Sequence, residues 1–322
     1  MTTSVPYRPY RTASCKARKL LVKLGENHAV VPSQCYITNV CLTNSSYPIT
    51  GGGFADIFQG YLGKTLVAVK RLRVFASSMT AEQEHQLKRL CREALVWQQI
   101  HHPNILPFLG VARDLFPFQL CLVAPWAAKG NIVTYLENHP APTVRLIYRL
   151  LYQVARGVAY LHWLNIVHGD LRGANILIDE DHHVRLADFG LSVFAEGTAG
   201  PGTCTNRDGS MAWMAPELID PVQFGHHDYY RTTATDVYAY ACVCLEVCTG
   251  RRPFAGLPDS AILLSVLRGE RPPRPSNTEC RGLALHDNLW DIMTRCWNPN
   301  ALSRPDVRQV ACCLGEMQRN AI

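Results

Sequence analysis

A change of hydrophobic period near residue 130 constrains this 322-residue chain more than any other feature. Before it, short runs such as IFQGYL (57–62) and TLVAVKRL (65–72) are β-branched, glycine-punctuated and alternating. A period of two predicts antiparallel strands, here joined by a tight turn near Gly63. ILPFLGVA (105–112) and QLCLVAPW (119–126) read as two more strands. One helix interrupts them. It opens on a Thr80/Gln83 capping box, carries Leu87, Leu90, Ala94 and Trp97 at helical spacing, and ends at His102-Pro103. After Gly130 the period becomes 3.6. Leu146, Leu150, Val154, Val158 and Leu161 form one apolar stripe and predict a helix over 143–163. Further helices are predicted near 232–249, 258–268, 285–297 and 305–318. The expected class is α+β: a small antiparallel sheet with one helix, followed by a larger, mainly helical part. A ligand is expected in a cleft where two such parts meet.

Charge is distributed unevenly. Arg8, Arg11, Lys16, Arg18, Lys19 and Lys23 all precede the first acidic residue, Glu26. The remaining basic residues balance the 26 acidic ones, so the net charge of +6 belongs to the N-terminal tail. Residues 1–46 read as a basic extension with a short helix over 13–24, in which Leu20, Leu21 and Leu24 share a side. No nucleic-acid partner is expected from the balanced body. No apolar run is long enough to span a bilayer, so no transmembrane segment is expected. The thirteen cysteines are odd in number and scattered, which favours reduced thiols and a cytoplasmic location. Cys242, Cys244 and Cys248 match no zinc spacing and are expected in a core.

Four elements carry chemistry. PITGGGFADIFQG (48–60) places a glycine cluster between two strands, where backbone N–H groups can approach phosphates. On the next strand, alternation puts Val67 and Val69 on one face and Ala68 and Lys70 on the other. Ala68 leaves room for a flat base, and Lys70 sets a cation within reach of phosphate oxygens. Glu93, 23 residues on, flanks the packed face of its helix and can pair with Lys70. In VHGDLRGANILID (167–179), Asp170 can orient and deprotonate a hydroxyl, and the Asn175 carbonyl suits a hard cation such as Mg2+. Asp188 in LADFG supplies a second oxygen donor.

With VAVK, HGDLRGAN, DFG and APE (215–217) in this order, the chain resembles the protein kinase family over residues 47–318. WMAPE and the short loops resemble the tyrosine-kinase-like group, particularly forms common in mushroom-type fungi. The resemblance implies the bilobal protein kinase fold, with a small lobe at 47–127 and a large lobe at 128–322. It implies transfer of the ATP γ-phosphate to a protein substrate, serine or threonine first. A nucleotide-binding pseudokinase scaffold and a tyrosine or dual-specificity enzyme are the alternatives. Lys70, held by Glu93, would contact phosphates. Asp170 would be the base, and Asn175 and Asp188 would hold Mg2+. Thr50, Gly51, Gly52, Gly53, Phe54, Ala55 and Ile57 would cover the phosphates. Ala68, Ala124, Pro125, Trp126, Ala127 and Leu177 would line the adenine site, with the Pro125 and Ala127 backbone at its edge. Glu217 would pair with Arg304, and Asp236 would anchor the loop bearing Asp170.

Three departures stand out. Thr50 and Ala55 replace the first and third glycines of the phosphate loop, which is expected to weaken ATP binding without abolishing it. Gly169 replaces an arginine that would pair with a phosphorylated activation segment. Phosphorylation at Thr198, Thr203, Thr205 or Ser210 is therefore expected to be dispensable. Arg172 stands where serine/threonine enzymes carry lysine, with the charge kept and the geometry altered.

Overall fold

A computed structural model describes residues 8–44, 47–51, 55–72, 81–117, 119–139, 142–195, 210–225 and 227–320. Gly52, Gly53, Phe54, Thr80, Thr198, Thr203 and Thr205 lie outside them. The chain divides into two compact units. One comprises Met1–His101 and Pro107–Trp126, the other His102–Leu106 and Ala127–Ile322.

In the first unit, α1 (Arg8–His28) precedes β1 (Val40–Leu42), β2 (Thr50–Gly51), β3 (Ala55–Leu62) and β4 (Thr65–Leu72). Then come α2 (Ala81–Trp97), β5 (Gly110–Phe116) and β6 (Gln119–Pro125). The sheet order is β1-β3-β4-β6-β5, with β2 on β3, and every pairing is antiparallel. Gly63, at φ +61°, makes the tight turn between β3 and β4, a conformation that costs glycine little. One sheet face is dry. Phe58, Val67, Val69, Ala112, Cys121 and Val123 pack there. The period-two alternation of TLVAVKRL decides which face is which, since a one-residue slip would bury Lys70 instead.

The strand expected at 105–112 lies elsewhere. The ladder begins at Gly110, and Ile105 and Leu106 instead meet Leu186 of the second unit by a bridge and an N–H···O bond of 2.9 Å. Pro107 has no N–H to give a ladder, so an apolar run that reads as one strand is divided at that point. Helix α1 is longer than the expected 13–24. It docks on α2 through buried Cys15 and Val22, while Leu20, Leu21 and Leu24 face solvent.

The second unit contains α3 (Ile132–Glu137), α4 (Val144–Trp163), β7 (Ile166–Val167), β8 (Ile176–Ile178), β9 (Val184–Leu186) and β10 (Val193–Phe194). It continues with α5 (Pro216–Ile219), α6 (Thr233–Thr249), α7 (Asp259–Leu267), α8 (Asp287–Cys296) and α9 (Val307–Asn320). Asn131 caps α3 and Thr143 caps α4 by accepting N–H groups of their first turns. The apolar stripe of α4 is buried at Leu150, Val154, Val158 and Leu161. Helix α6 is buried along nearly all its length, including Cys242, Cys244 and Cys248. Burial pushes the Cys242 and Cys248 thiols up to about 12, so they are inert packing groups. No helix of the described residues is long and apolar enough to cross a membrane.

Glu217 and Arg304 form a bidentate pair at 2.6 and 2.8 Å. The Arg304 side chain is fully buried and also donates to the Ala234 carbonyl. Removing one partner strands the other charge without water. Glu217→Ala is expected to cost about 3–5 kcal/mol, read from urea unfolding at neutral pH. A loss below about 1 kcal/mol would mean that the pair is not holding this unit together.

Candidate active site

On β4, Ala68 sits opposite Ala124 of β6, and Lys70 lies between Ile57 of β3 and Leu122 of β6. The two alanines keep that part of the sheet shallow. Lys70 Nζ meets Glu93 Oε1 at 2.7 Å, and Glu93 is 4% exposed. Burial of the carboxylate against a half-buried ammonium fixes the direction of the lysine. Thr50 and Gly51 pair with Ile57 and Asp56, at the start of the glycine run. The Trp126 N–H is used by the Leu66 carbonyl, and the Ala127 carbonyl already accepts from the Gly130 N–H at 3.1 Å. Of the backbone groups assigned to the adenine edge, the Ala127 carbonyl is therefore shared.

The sheet also holds an ion pair that the motifs do not reveal. Arg71 Nη2 meets Asp56 Oδ2 at 2.9 Å, with its guanidinium over Phe58 and Phe116. The signal was available. Alternation places Arg71 on the same face as Val67 and Val69, where a charge requires a partner, and Asp56 lies directly across.

In the second unit, the loop bearing Asp170 is held from α6. The Thr232/Thr235 capping box starts that helix and sets Asp236 in its first turn. Asp236 accepts the backbone N–H of His168 at 2.8 Å and of Gly169 at 2.9 Å, and His162 Nε2 approaches it at 2.9 Å. Burial would raise this carboxyl, but the hydrogen bond from His162 and the Gly169 N–H hold it below its ordinary range. The His168 ring takes the Asp170 N–H on Nδ1 and faces the Ala187 carbonyl with Nε2 at 3.1 Å. That pattern assigns the Nε2–H tautomer. Ser192 Oγ donates to the His168 carbonyl.

Asn175 Nδ2 donates to the Asp170 carbonyl at 2.8 Å and to its carboxylate at 3.0 Å. Orientation of the amide this way leaves the Oδ1 oxygen for a cation. The Asn175 carbonyl accepts from Ala187 N, tying this loop to the segment that carries Asp188. Asp188 has φ +61°, a strained conformation for a non-glycine residue. The next residue, Phe189, is 1% exposed and packs 5.4 Å from His168. Leu177 lies on β8 opposite Arg185. Asp170 also lines a cavity with Ser210, Met214, Leu218, Tyr229 and Arg231.

Two residues behave in ways the motifs did not indicate. Arg172 lies over the Trp213 ring, 5.8 Å from its centre. Trp213 Nε1 donates to Glu246 at 3.0 Å, and Gly173 N donates to the same oxygen at 2.8 Å. Burial pushes the Glu246 carboxyl up, against the pull of those donors and of Arg172. Gly169 has φ +79°, and a Cβ there would stand 2.6 Å from Arg231 Cδ and 2.7 Å from the Leu191 carbonyl. Arg231 fills the space that a side chain at 169 would need, and its Nε donates to the Gly169 carbonyl at 3.2 Å.

A family model for protein tyrosine and serine/threonine kinases matches residues 44–314. The chain belongs to that family. Among kinases it is 29% identical to the serine/threonine-protein kinase STY46 of Arabidopsis thaliana, over 85% of this chain and 44% of that one. It is 29% identical to the Arabidopsis serine/threonine/tyrosine-protein kinase HT1, over 82% of this chain and 63% of that protein. Identity to the probable serine/threonine-protein kinase drkD of Dictyostelium discoideum is 31%, over 80% and 18%. The kinase region thus spans less than two thirds of the length of these relatives.

The depressed folded pKa of Asp236 sets a pH window. Its unfolded value is about 3.9, so its stabilising contribution is complete above that pH and drains away as pH falls through the lower folded value. The stability gap between the wild type and Asp236→Asn, from urea unfolding across pH, is expected to be widest above about pH 5 and to shrink below about pH 4. A gap independent of pH would show that the carboxylate charge contributes nothing.

Proposed function

We propose that the protein transfers the γ-phosphate of ATP to a protein hydroxyl, serine or threonine first. The observation that carries the reading is the Asn175 side chain, which holds the Asp170 carboxylate and leaves an amide oxygen for a cation. A loop with no chemical task has no reason to spend a buried amide on orienting a carboxylate.

In this reading Asp170 accepts the proton of the acceptor hydroxyl and aligns it. Lys70, kept in place by Glu93, neutralises phosphate oxygens, and the backbone N–H groups from Thr50 to Ile57 cover them. Ala68, Ala124, Leu177 and the 125–127 backbone receive the adenine. The donor set fits magnesium: Asn175 and Asp188 offer only oxygen, which a hard cation prefers over thiol or imidazole. When bound there, Mg2+ neutralises the charge that builds on the phosphates. Positioning and charge neutralisation are what in-line phosphoryl transfer asks of a protein, and these residues supply both.

Dual specificity is a second reading. It draws on Arg172, which is turned over Trp213 rather than standing as the lysine of serine/threonine enzymes. HT1 is named a serine/threonine/tyrosine-protein kinase, which supports the same reading.

The test is phosphate transfer from labelled ATP with Mg2+, scored separately for phosphoserine, phosphothreonine and phosphotyrosine. Lys70→Met and Asp188→Asn should each lower turnover by about a hundredfold or more. Lys70→Met also leaves the buried Glu93 carboxylate without its partner, so its turnover is read under conditions where urea unfolding shows the variant folded. Turnover equal to the wild type in either variant overturns the assignment.

A further inference from the structure

Helix α1 has two opposed faces, and only one is used by the fold. Cys15 and Val22 are buried, Gly25 approaches Leu95 closely, and Glu26 meets Arg92 at 3.5 Å. These positions lie on the side turned to α2. At about 100° per residue, Ala17, Leu20, Leu21 and Leu24 gather on the opposite side. Leu20 is 59%, Leu21 42% and Leu24 49% exposed. Their spacing of three and four is the stripe by which an amphipathic helix buries itself, yet here it stands in water.

Cations border that stripe. Lys16 and Lys23, both exposed, follow one edge, while Lys19 and Arg18 are half-buried and fall on the docked side, near Glu26 and Val22. No acidic residue precedes Glu26, and Glu26 sits on the docked side. The partner must therefore be apolar where it meets the leucines and anionic along the edge that carries Lys16 and Lys23. A bilayer with acidic headgroups has that profile along the whole length of a helix lying flat on it. Leucines reach the acyl boundary while ammonium groups stay at phosphate depth on their long stems. Because the docked face is the opposite one, α1 can lie on a surface without leaving α2.

We propose that α1 is a membrane-surface anchor that lays Leu20, Leu21 and Leu24 into an anionic bilayer. The inference stands apart from phosphate transfer and survives its failure. The experiment is co-sedimentation of the full chain with vesicles of phosphatidylcholine alone, or with about one third phosphatidylserine. Two variants are compared, Leu20→Ser/Leu21→Ser/Leu24→Ser and Lys16→Glu/Lys23→Glu. All five positions are exposed, so the unfolding midpoint should not move. The wild type should bind the serine-lipid vesicles and not the neutral ones, and each variant should lose about tenfold or more in partitioning. Absence of binding by the wild type, or undiminished binding by the triple serine variant, overturns the proposal. A dimer abolished by the triple serine change, without vesicle binding, also overturns it and assigns the stripe to a second copy of the chain.

Discussion

The buried carboxylate of Asp236 is the constraint on which the second unit turns. A charge without water must be met by donors, and here the donors are the backbone N–H groups of His168 and Gly169 together with His162. Ten residues along the same helix, about 15 Å, Glu246 performs a similar service for Gly173 and Trp213. Asp170 is thus bracketed between two grips that issue from one buried helix. The rigidity of α6, with its capping box and its all-round burial, passes into the loop without any regular structure in the loop itself. Asn175 then fixes the remaining freedom of the Asp170 carboxylate.

Position 169 shows how this constraint shapes the sequence. Where Asp236 accepts two consecutive N–H groups the backbone at 169 has φ +79°, a conformation in which a side chain is strained. Glycine relieves the strain, and Arg231 moves into the vacated space and donates to the Gly169 carbonyl.

Some of this was legible in the sequence because it depends on short-range periodicity. Alternation in TLVAVKRL put Lys70 and Ala68 on the open face of a strand, and helical spacing placed Glu93 beside a packed stripe. The same alternation, followed one residue further, leads to Arg71 and Asp56. Other features depend on contacts made far along the chain. Glu246 lies 73 residues from Gly173, and no local pattern marks it as the acceptor of that amide. The run 105–112 has one composition but two destinations, decided by Pro107 and by Leu186. In α1, helical spacing puts Leu20, Leu21 and Leu24 on one side without saying which side docks. Gly25 leaves no room for a side chain against Leu95 of α2 on the other side, and the leucines stand in solvent.

A carboxylate held this deliberately has value only if it meets a hydroxyl during transfer, and that is the claim to test first. The measurement is kcat for phosphate transfer by Asp170→Asn, alongside its affinity for Mg2+–ATP. The account predicts a fall in kcat of about a hundredfold to ten-thousandfold with nucleotide affinity unchanged. An unaltered kcat would contradict it.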